Sequence, residues 1–341
     1  MSAVAWFFGA ELTLALERPI GLIEVAAGGT PTEAWVDPQA LAADPTTASL
    51  VAEGNWLDNP LLGEWCRGRA RQNLSQAIDE GWEIPGNDLG PHHAFQPGHM
   101  WQTAVEPFTQ LPIRGVIWYQ GESNAFFGRE YRDLFRTLIE DWRAAWGAPA
   151  LPFLFVQLPG YRVPNPETWA ELREAQAMAL ALPHTEMAVA IDLGQPRDIH
   201  PLNKREVGRR LALCALATVY GQDQLVYSGP RFDRVEQQDD RLVVHWTHVG
   251  AGLVIGDGKE LRGFEIATED GPFVAATARI DGDTVVLQAD GVTAPVHVRY
   301  AWTDFPDGNL RNYDRLPASP FRTDDRPRAT LVPGEDDGEG R

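Results

Sequence analysis

The sequence predicts an α/β chain with a parallel sheet, followed by a smaller antiparallel β domain, and three observations carry that prediction. Nearly continuous apolar runs at Ile20–Ala26, Ile113–Gln120, Pro152–Leu158 and Met187–Leu193 are separated by helix-like segments, the mark of parallel strands covered on both faces. Polar, glycine-containing loops follow two of these runs, at Gly28-Gly29-Thr30-Pro31 and at Gln120-Gly121-Glu122-Ser123-Asn124. From Ser228 the texture changes to period-two alternation broken by Asp-Gly turns, which reads as a series of hairpins.

Taken in order, Ser2 is placed to cap a first helix, Ala3–Glu17, whose Val4, Phe7, Phe8, Leu12 and Leu16 share a broad face. Pro19 ends it, and the strand Ile20–Ala26 runs into the Gly28–Pro31 turn. A polar helix is expected at Trp65–Glu80. Beyond the strand Ile113–Gln120, helices are predicted at Tyr131–Trp146 and Trp169–Ala181, alternating with the strands Pro152–Leu158 and Met187–Leu193. A last helix runs from Asn203 to Val219. In the second domain Arg241–Trp246, Gly263–Ala267, Thr284–Gln288 and Val296–Trp302 alternate as strands of a β-sandwich, with turns such as Asp281-Gly282-Asp283 between them. The expected boundaries are 1–225 for the α/β domain, 226–323 for the sandwich and 324–341 for an acidic tail, disordered because it has little to bury.

With 341 residues, 44% of them hydrophobic and 23% charged, the chain has enough apolar material for two cores. Its formal net charge of -19 argues against nucleic acid and anionic membrane surfaces, which need clustered Lys and Arg. Two cysteines, Cys66 and Cys214, cannot build a disulfide framework. No apolar run approaches the ~18 residues of a spanning helix. No signal peptide is legible in the first residues. Compartment and oligomeric state stay open, with a periplasmic or extracellular setting possible for an intact parent.

The residues that point to chemistry sit after the strands. The block Ile117–Asn124 is a hydrophobic strand running into a loop that presents an amide and backbone N–H groups, at the carboxyl edge where open α/β sheets place their sites. Such donors suit a tetrahedral oxyanion, each fixed N–H being worth ~3 kcal/mol. His200, in Asp198-Ile199-His200-Pro201, lies in a loop after a strand and before a helix, where an imidazole can relay a proton between a hydroxyl and a leaving alcohol; a capping or surface histidine is the competing reading. Asp198 is a candidate to orient that ring, and Glu122 and Asn124 to brace the loop or touch substrate. Arg173 and Gln176, three apart on one helix, are candidates for a substrate carboxylate, against a structural ion pair. Gly121-x-Ser123-x-Ala125 mimics a nucleophile elbow but lacks its last glycine. His92, His93, His99 and Asp88 form the one metal-like cluster, on a spacing that fits no zinc pattern. Trp35, Trp118 and Trp169 offer faces for sugar stacking, though most tryptophans are expected in the core.

Gly115–Asn124 and Asp198–Pro201, with Pro19–Ile23, Gly28–Pro31, Asp192-Leu193-Gly194, Gly208–Ala212, Val298–Trp302 and Leu316–Phe321 between and around them, resemble the SGNH-type esterases, specifically the sialate O-acetylesterase family. The resemblance implies an SGNH, flavodoxin-like three-layer sheet. It also implies hydrolysis of acetyl esters on sialic acid or related sugars by a Ser/His acyl-enzyme route, without metal or cofactor. By the same resemblance Gln120 donates to the oxyanion through its side-chain amide and Gly29 through its backbone N–H, while Ser123 is not the nucleophile. Two departures stand out. The SGNH pattern has its acid three residues before the histidine, a position held here by Arg197, with Asp198 only two before. The family's first block, a Gly-Gln-Ser-Asn turn carrying the nucleophile, does not occur in the chain.

The chain therefore reads as truncated, beginning inside the conserved domain. A central strand of five or six residues contributes on the order of ten hydrogen bonds of ~1 kcal/mol each and ~2 kcal/mol for each buried side chain, which rivals a domain's ~5–15 kcal/mol of stability. Poor stability and impaired activity are the expectations. The alternative is a non-catalytic carbohydrate-binding or scaffold protein that kept the fold, and a metal-dependent hydrolase is a third reading.

Overall fold

The computed structural model describes residues 1–163 and 167–327. Helix α1 (Ala3–Leu16) starts where expected, with the Ser2 hydroxyl accepting from the Ala5 N–H at 3.4 Å. The short helix α2 (Pro38–Ala43) is capped by Asp37. Helix α3 (Glu64–Asp79) is followed by a minimal hairpin, β1 (Gly86–Asn87) and β2 (Gly90–Pro91). Then come β3 (Val116–Trp118), α4 (Gly128–Ala145), β4 (Phe153–Gln157), α5 (Thr168–Met178), β5 (Thr185–Val189) and α6 (Lys204–Thr218). The alternation of strand and helix read from the sequence is present.

The described residues form two compact units. The first comprises Met1–Leu158, Ala175–Ala188 and Lys204–Leu225; the second comprises Pro159–Glu174, Val189–Asn203 and the chain from Val226. A sheet in the order β3-β4-β5 has β3 and β4 parallel, with Ile117 opposite Leu154. Every residue of the central β4 is buried, as an uninterrupted Phe-Leu-Phe-Val run requires. Helix α4 presents Tyr131, Leu134, Phe135, Leu138, Ile139 and Trp142 at helical spacing and buries all of them. Its aromatic rings pack with Trp118 and Phe153, Trp118 in turn meets Trp35 edge-on, and the Trp142 indole donates to the Trp35 carbonyl at 2.9 Å. Trp35, Trp118 and Trp169 are thus core residues, 4%, 7% and 3% exposed, and none offers a sugar-stacking face.

One expected strand does not form. Residues 20–26 carry no strand pairing and lie largely at the surface, with Ile23 51% exposed. An apolar run is a strand only where a neighbour receives its backbone groups, and among the described residues the three-stranded sheet stops at β3. The segment leans on α1 instead, with Leu22 against Gly9 and Glu24 accepting from the Ser2 N–H. Helices α1 and α6 approach so closely that a Cβ on Gly208 would sit 2.7 Å from the Phe7 Cβ and 2.8 Å from two backbone atoms of α1.

The second unit holds the antiparallel strands. One sheet runs in the order β11 (Thr277–Asp281), β12 (Thr284–Gln288), β7 (Arg241–Thr247), β6 (Arg231–Gln238), and the other in the order β10 (Val274–Ala275), β9 (Phe264–Ala267), β13 (His297–Tyr300), β15 (Phe321–Arg322). A small pair joins β8 (Leu253–Ile255) to β14 (Leu310–Asn312). Trp246 of β7 meets Phe264, Tyr300 and Phe321 of the opposite sheet edge-on at 5.4 to 6.3 Å, which makes the pair a sandwich. The Asp281-Gly282-Asp283 turn closes β11 on β12, with Gly282 at φ +61°. Strand β6 was not legible because its Arg, Asp and Glu side chains are those of an exposed edge. Most of the expected tail, residues 328–341, lies outside the described residues. Its first residue is anchored rather than free: Asp324 is buried and accepts two 2.8 Å hydrogen bonds from the Arg299 guanidinium. Among the described residues, no helix is long and apolar enough to cross a membrane.

Candidate active site

In the first unit the Gly28–Pro31 turn and the loop after β3 are bonded into one piece. Gly121 leaves β3 at φ +150° and Gly29 turns at φ +76°, both conformations that favour glycine. Gln120 donates through Nε2 to the Thr30 carbonyl at 3.1 Å and to Asn124 Oδ1 at 2.9 Å. Its Oε1 accepts from the Thr32 hydroxyl at 2.5 Å and from Tyr131 at 3.3 Å. Asn124 Oδ1 also accepts from the Thr32 N–H at 2.9 Å, and its Nδ2 donates to Glu33 Oε2 at 2.8 Å. Ser123 donates its hydroxyl to the Gly29 carbonyl at 2.8 Å. The orientation of both amides is fixed, because a backbone N–H can only donate and a carbonyl can only accept.

This network changes the reading of Gln120. An amide has two N–H groups, and both are committed to Thr30 and Asn124, so in this structure Gln120 braces the turn and does not present a free donor. Gly29 remains: its carbonyl is held by Ser123, and among the described residues its N–H has no hydrogen-bond partner. Asn124 is 5% exposed with its amide engaged inside the protein. Glu122, half-buried on the 3-10 turn Glu122–Phe127, places a carboxylate by the loop, and its charge adds to the burial that pushes the Tyr119 and Tyr131 hydroxyls upward. Glu33 is the deepest carboxyl of the site, and burial raises its pKa against the bonds from its own backbone and Asn124. Cys66, packed beneath Gly63, is pushed up to about 12 by burial and by the nearby Glu33, so its thiol is inert.

In the second unit the loop to His200 is set by a close backbone contact. A Cβ on Gly194 would meet the Gly160 backbone carbonyl at 2.0 Å, so only glycine fits there. Asp192 pairs with Arg311 at 2.9 Å. Asp198 Oδ1 accepts from the His200 backbone N–H at 2.8 Å, whereas the His200 ring nitrogen Nδ1 stands 3.9 Å away, beyond hydrogen-bond range. The imidazole is 83% exposed. Asp198 therefore shapes the loop, through a two-residue turn of the kind Asp favours, and does not orient the ring here.

Arg173, expected to reach a substrate carboxylate, is fully buried at 0% exposure. Its guanidinium donates to the Asp304 carbonyl at 3.2 Å and to the Thr303 carbonyl, and burial draws its pKa down to about 10. An arginine is long enough to tie a helix to a distant loop, and that is its use in the second unit. Gln176 likewise braces the first unit, donating to the Gln120 carbonyl at 3.1 Å and accepting from the Leu158 N–H at 2.9 Å. The histidine cluster is packing: the rings of His92 and His99 lie 5.1 Å apart, and His93 accepts from the Phe95 N–H at 3.1 Å. Among the described residues no group of His, Cys, Asp or Glu is arranged to hold a metal ion.

Sequence reasoning passed over Thr32, Glu33 and Tyr131, which complete the network. Nothing in Thr30-Pro31-Thr32-Glu33 marks a buried carboxyl; only the fold brings it to Asn124, 91 residues away.

Residues 80–217 match the family model described as carbohydrate esterase, sialic acid-specific acetylesterase. The chain is 32% identical to the sialate O-acetylesterase of Mus musculus over 94% of its own length and 63% of that protein's. It is 29% identical to that of Homo sapiens over 90% and 56%. It thus spans about six-tenths of these curated relatives. Among solved structures, a carbohydrate acetylesterase from Xanthomonas citri superposes with a TM-score of 0.76 at 38% identity, covering 96% of this chain and 66% of that one. Residues 80–217, which hold the Gln120 loop and His200, thus carry the match to the sialic acid-specific acetylesterase family, and the chain is similar over nearly all of its length to carbohydrate acetylesterases.

Proposed function

We propose that this chain is a carboxylic ester hydrolase that removes O-acetyl groups from sialic acid or related sugars. The observation that carries the reading is that the family match takes in both the Gln120 loop and His200, while the bonded turn leaves the Gly29 N–H available for an oxyanion. The roles follow from the chemistry each group can perform. His200, exposed and able to rotate, accepts the proton of an attacking hydroxyl and returns it to the sugar oxygen as the acetyl C–O bond breaks. In the first unit the Gly29 N–H is a donor of the kind an oxyanion takes, and Gln120, Asn124 and Glu33 hold its turn. Asp198 fixes the backbone that carries the histidine.

The Gly-Gln-Ser-Asn block is not among the 341 residues, so turnover by these residues alone is expected to be impaired: loss of the triad serine of the protease subtilisin costs on the order of 10⁶ in turnover. The test is acetate release from 9-O-acetyl-N-acetylneuraminic acid by the purified chain. Slow release is expected, lowered about 10²-fold by His200→Ala and unchanged by Ser123→Ala. Vigorous release abolished by Ser123→Ala would overturn the assignment. Sugar binding with no release at all would favour the non-catalytic carbohydrate-binding reading.

A further inference from the structure

Trp65 stands in the first turn of α3 with its side chain 55% exposed, yet it is pinned. Its six-membered ring lies so near Gly29 that a Cβ there would sit 2.8 Å from Cη2 and 3.1 Å from Cζ3. Phe95 supports it at 5.7 Å with the planes 32° apart. Behind Phe95, His93 at 4.7 Å and then Trp56 at 6.2 Å from His93 continue a row of rings into the buried cluster beneath α3. One helical turn on, the Arg69 guanidinium lies 6.0 Å from the indole centroid. Gly63, two residues earlier, approaches the Ser123 carbonyl, and Ser123 holds Gly29. A large and half-bare aromatic surface thus borders the Gly29 N–H, which among the described residues has no hydrogen-bond partner.

Single exposed apolar residues are ordinary on protein surfaces. Trp65 differs in being fixed from behind by packed rings and from the side by a glycine whose missing side chain its presence demands. Flat, preorganised indole of this kind suits the C–H face of a pyranose, which meets the electron-rich ring with little ordering cost.

We propose that Trp65 is the sugar platform of the site. The apolar face of a pyranose stacks on the indole, the acetyl ester that the ring carries reaches the Gly29 N–H, and Arg69 receives the carboxylate of an acidic sugar. This inference rests on the deacetylase reading and adds the residues that choose the sugar.

The probe is the methyl glycoside of N-acetylneuraminic acid, which carries no ester to turn over, with methyl galactoside as the neutral control. Binding to the 341-residue chain is read by calorimetry and by saturation transfer to ring protons. Trp65→Ala is expected to weaken the acidic sugar at least tenfold, Trp65→Phe by less than about threefold, and Arg69→Gln to reduce the preference for the acidic over the neutral sugar. Melting of each variant within a few degrees of the parent accompanies those changes. Equal affinity in Trp65→Ala, absence of sugar binding by the parent, or equal loss in Trp65→Ala and Trp65→Phe with lowered melting temperatures would each overturn the proposal. Because binding is read without turnover, the two readings fail separately. Acetate release with Trp65→Ala binding normally sinks only the platform; stacking on Trp65 without any acetate release sinks only the esterase.

Discussion

Gln120→Glu replaces one NH₂ by oxygen and changes almost nothing else in size, so it asks directly whether the amide is a brace. In the parent that NH₂ faces two acceptors, the Thr30 carbonyl and Asn124 Oδ1, at 3.1 and 2.9 Å. Neither can turn into a donor: one is backbone, and Asn124 is held by the Thr32 N–H and Glu33. Two hydrogen bonds of ~1 kcal/mol each are lost, and carboxylate oxygens are set against carbonyl oxygens in a partly buried site. Discounted for partial exposure, the expected loss is ~2–3 kcal/mol at pH 7.5, or ~4–12 °C at the ~2–4 °C per kcal/mol typical of domains of about 150–250 residues. The loss should shrink at pH 5. The facing oxygens raise the pKa of the new carboxyl above its unfolded value near ~4.3, so its protonated form, which can donate once, is favoured in the fold; stability is retained below that raised pKa and falls as pH climbs through it. Thermal melting by near-ultraviolet circular dichroism at both pH values measures this. A variant melting within 2 °C of the parent at pH 7.5 would show that the amide is free and that the donor role implied by family resemblance stands.

Other expectations follow from single contacts. Gly208→Ala would be stabilising by ~1 kcal/mol on helix propensity alone, but its Cβ would sit 2.7–2.8 Å from atoms of α1 that include backbone, so a destabilisation of ~1–3 kcal/mol by urea unfolding is expected; a gain would refute the close approach of α1 and α6. Arg173→Met takes a buried donor from the Thr303 and Asp304 carbonyls, the second of which keeps the Tyr161 N–H, and should cost ~1–3 kcal/mol in stability while leaving sugar affinity intact; a changed affinity without loss of stability would restore it as a substrate residue. Asp141 is lifted to about 6, chiefly by burial, then by the Asp37 charge against the Asp37 N–H that it accepts. A carboxyl raised in the fold favours its protonated form, so the parent should lose stability between about pH 4 and 6, and Asp141→Asn should flatten that slope; an unchanged slope would count against the burial of this group.

From β3 to α6 the sequence by itself determined the order of elements, because strand and helix periodicities are local. Phe153–Gln157 is buried on both faces whatever surrounds it, α4 shows its stripe from Tyr131 to Trp142, and Asp281-Gly282-Asp283 can only turn. It also marked Gln120, Asn124 and His200 by type and spacing. What it could not decide was which partners those groups would find, since hydrogen bonds form between residues far apart in the chain. Only the tertiary structure engages both N–H groups of Gln120 with Thr30 and Asn124, sets Asp198 on the backbone of His200 and not its ring, buries Arg173 and leaves residues 20–26 unpaired. Composition holds twelve tryptophans without distinguishing them; packing puts Trp35, Trp118 and Trp169 inside and leaves Trp65 bare beside Gly29. An apolar residue states only that burial is favourable, and the fold, with a limited interior to fill, decides which side chains are left at the surface.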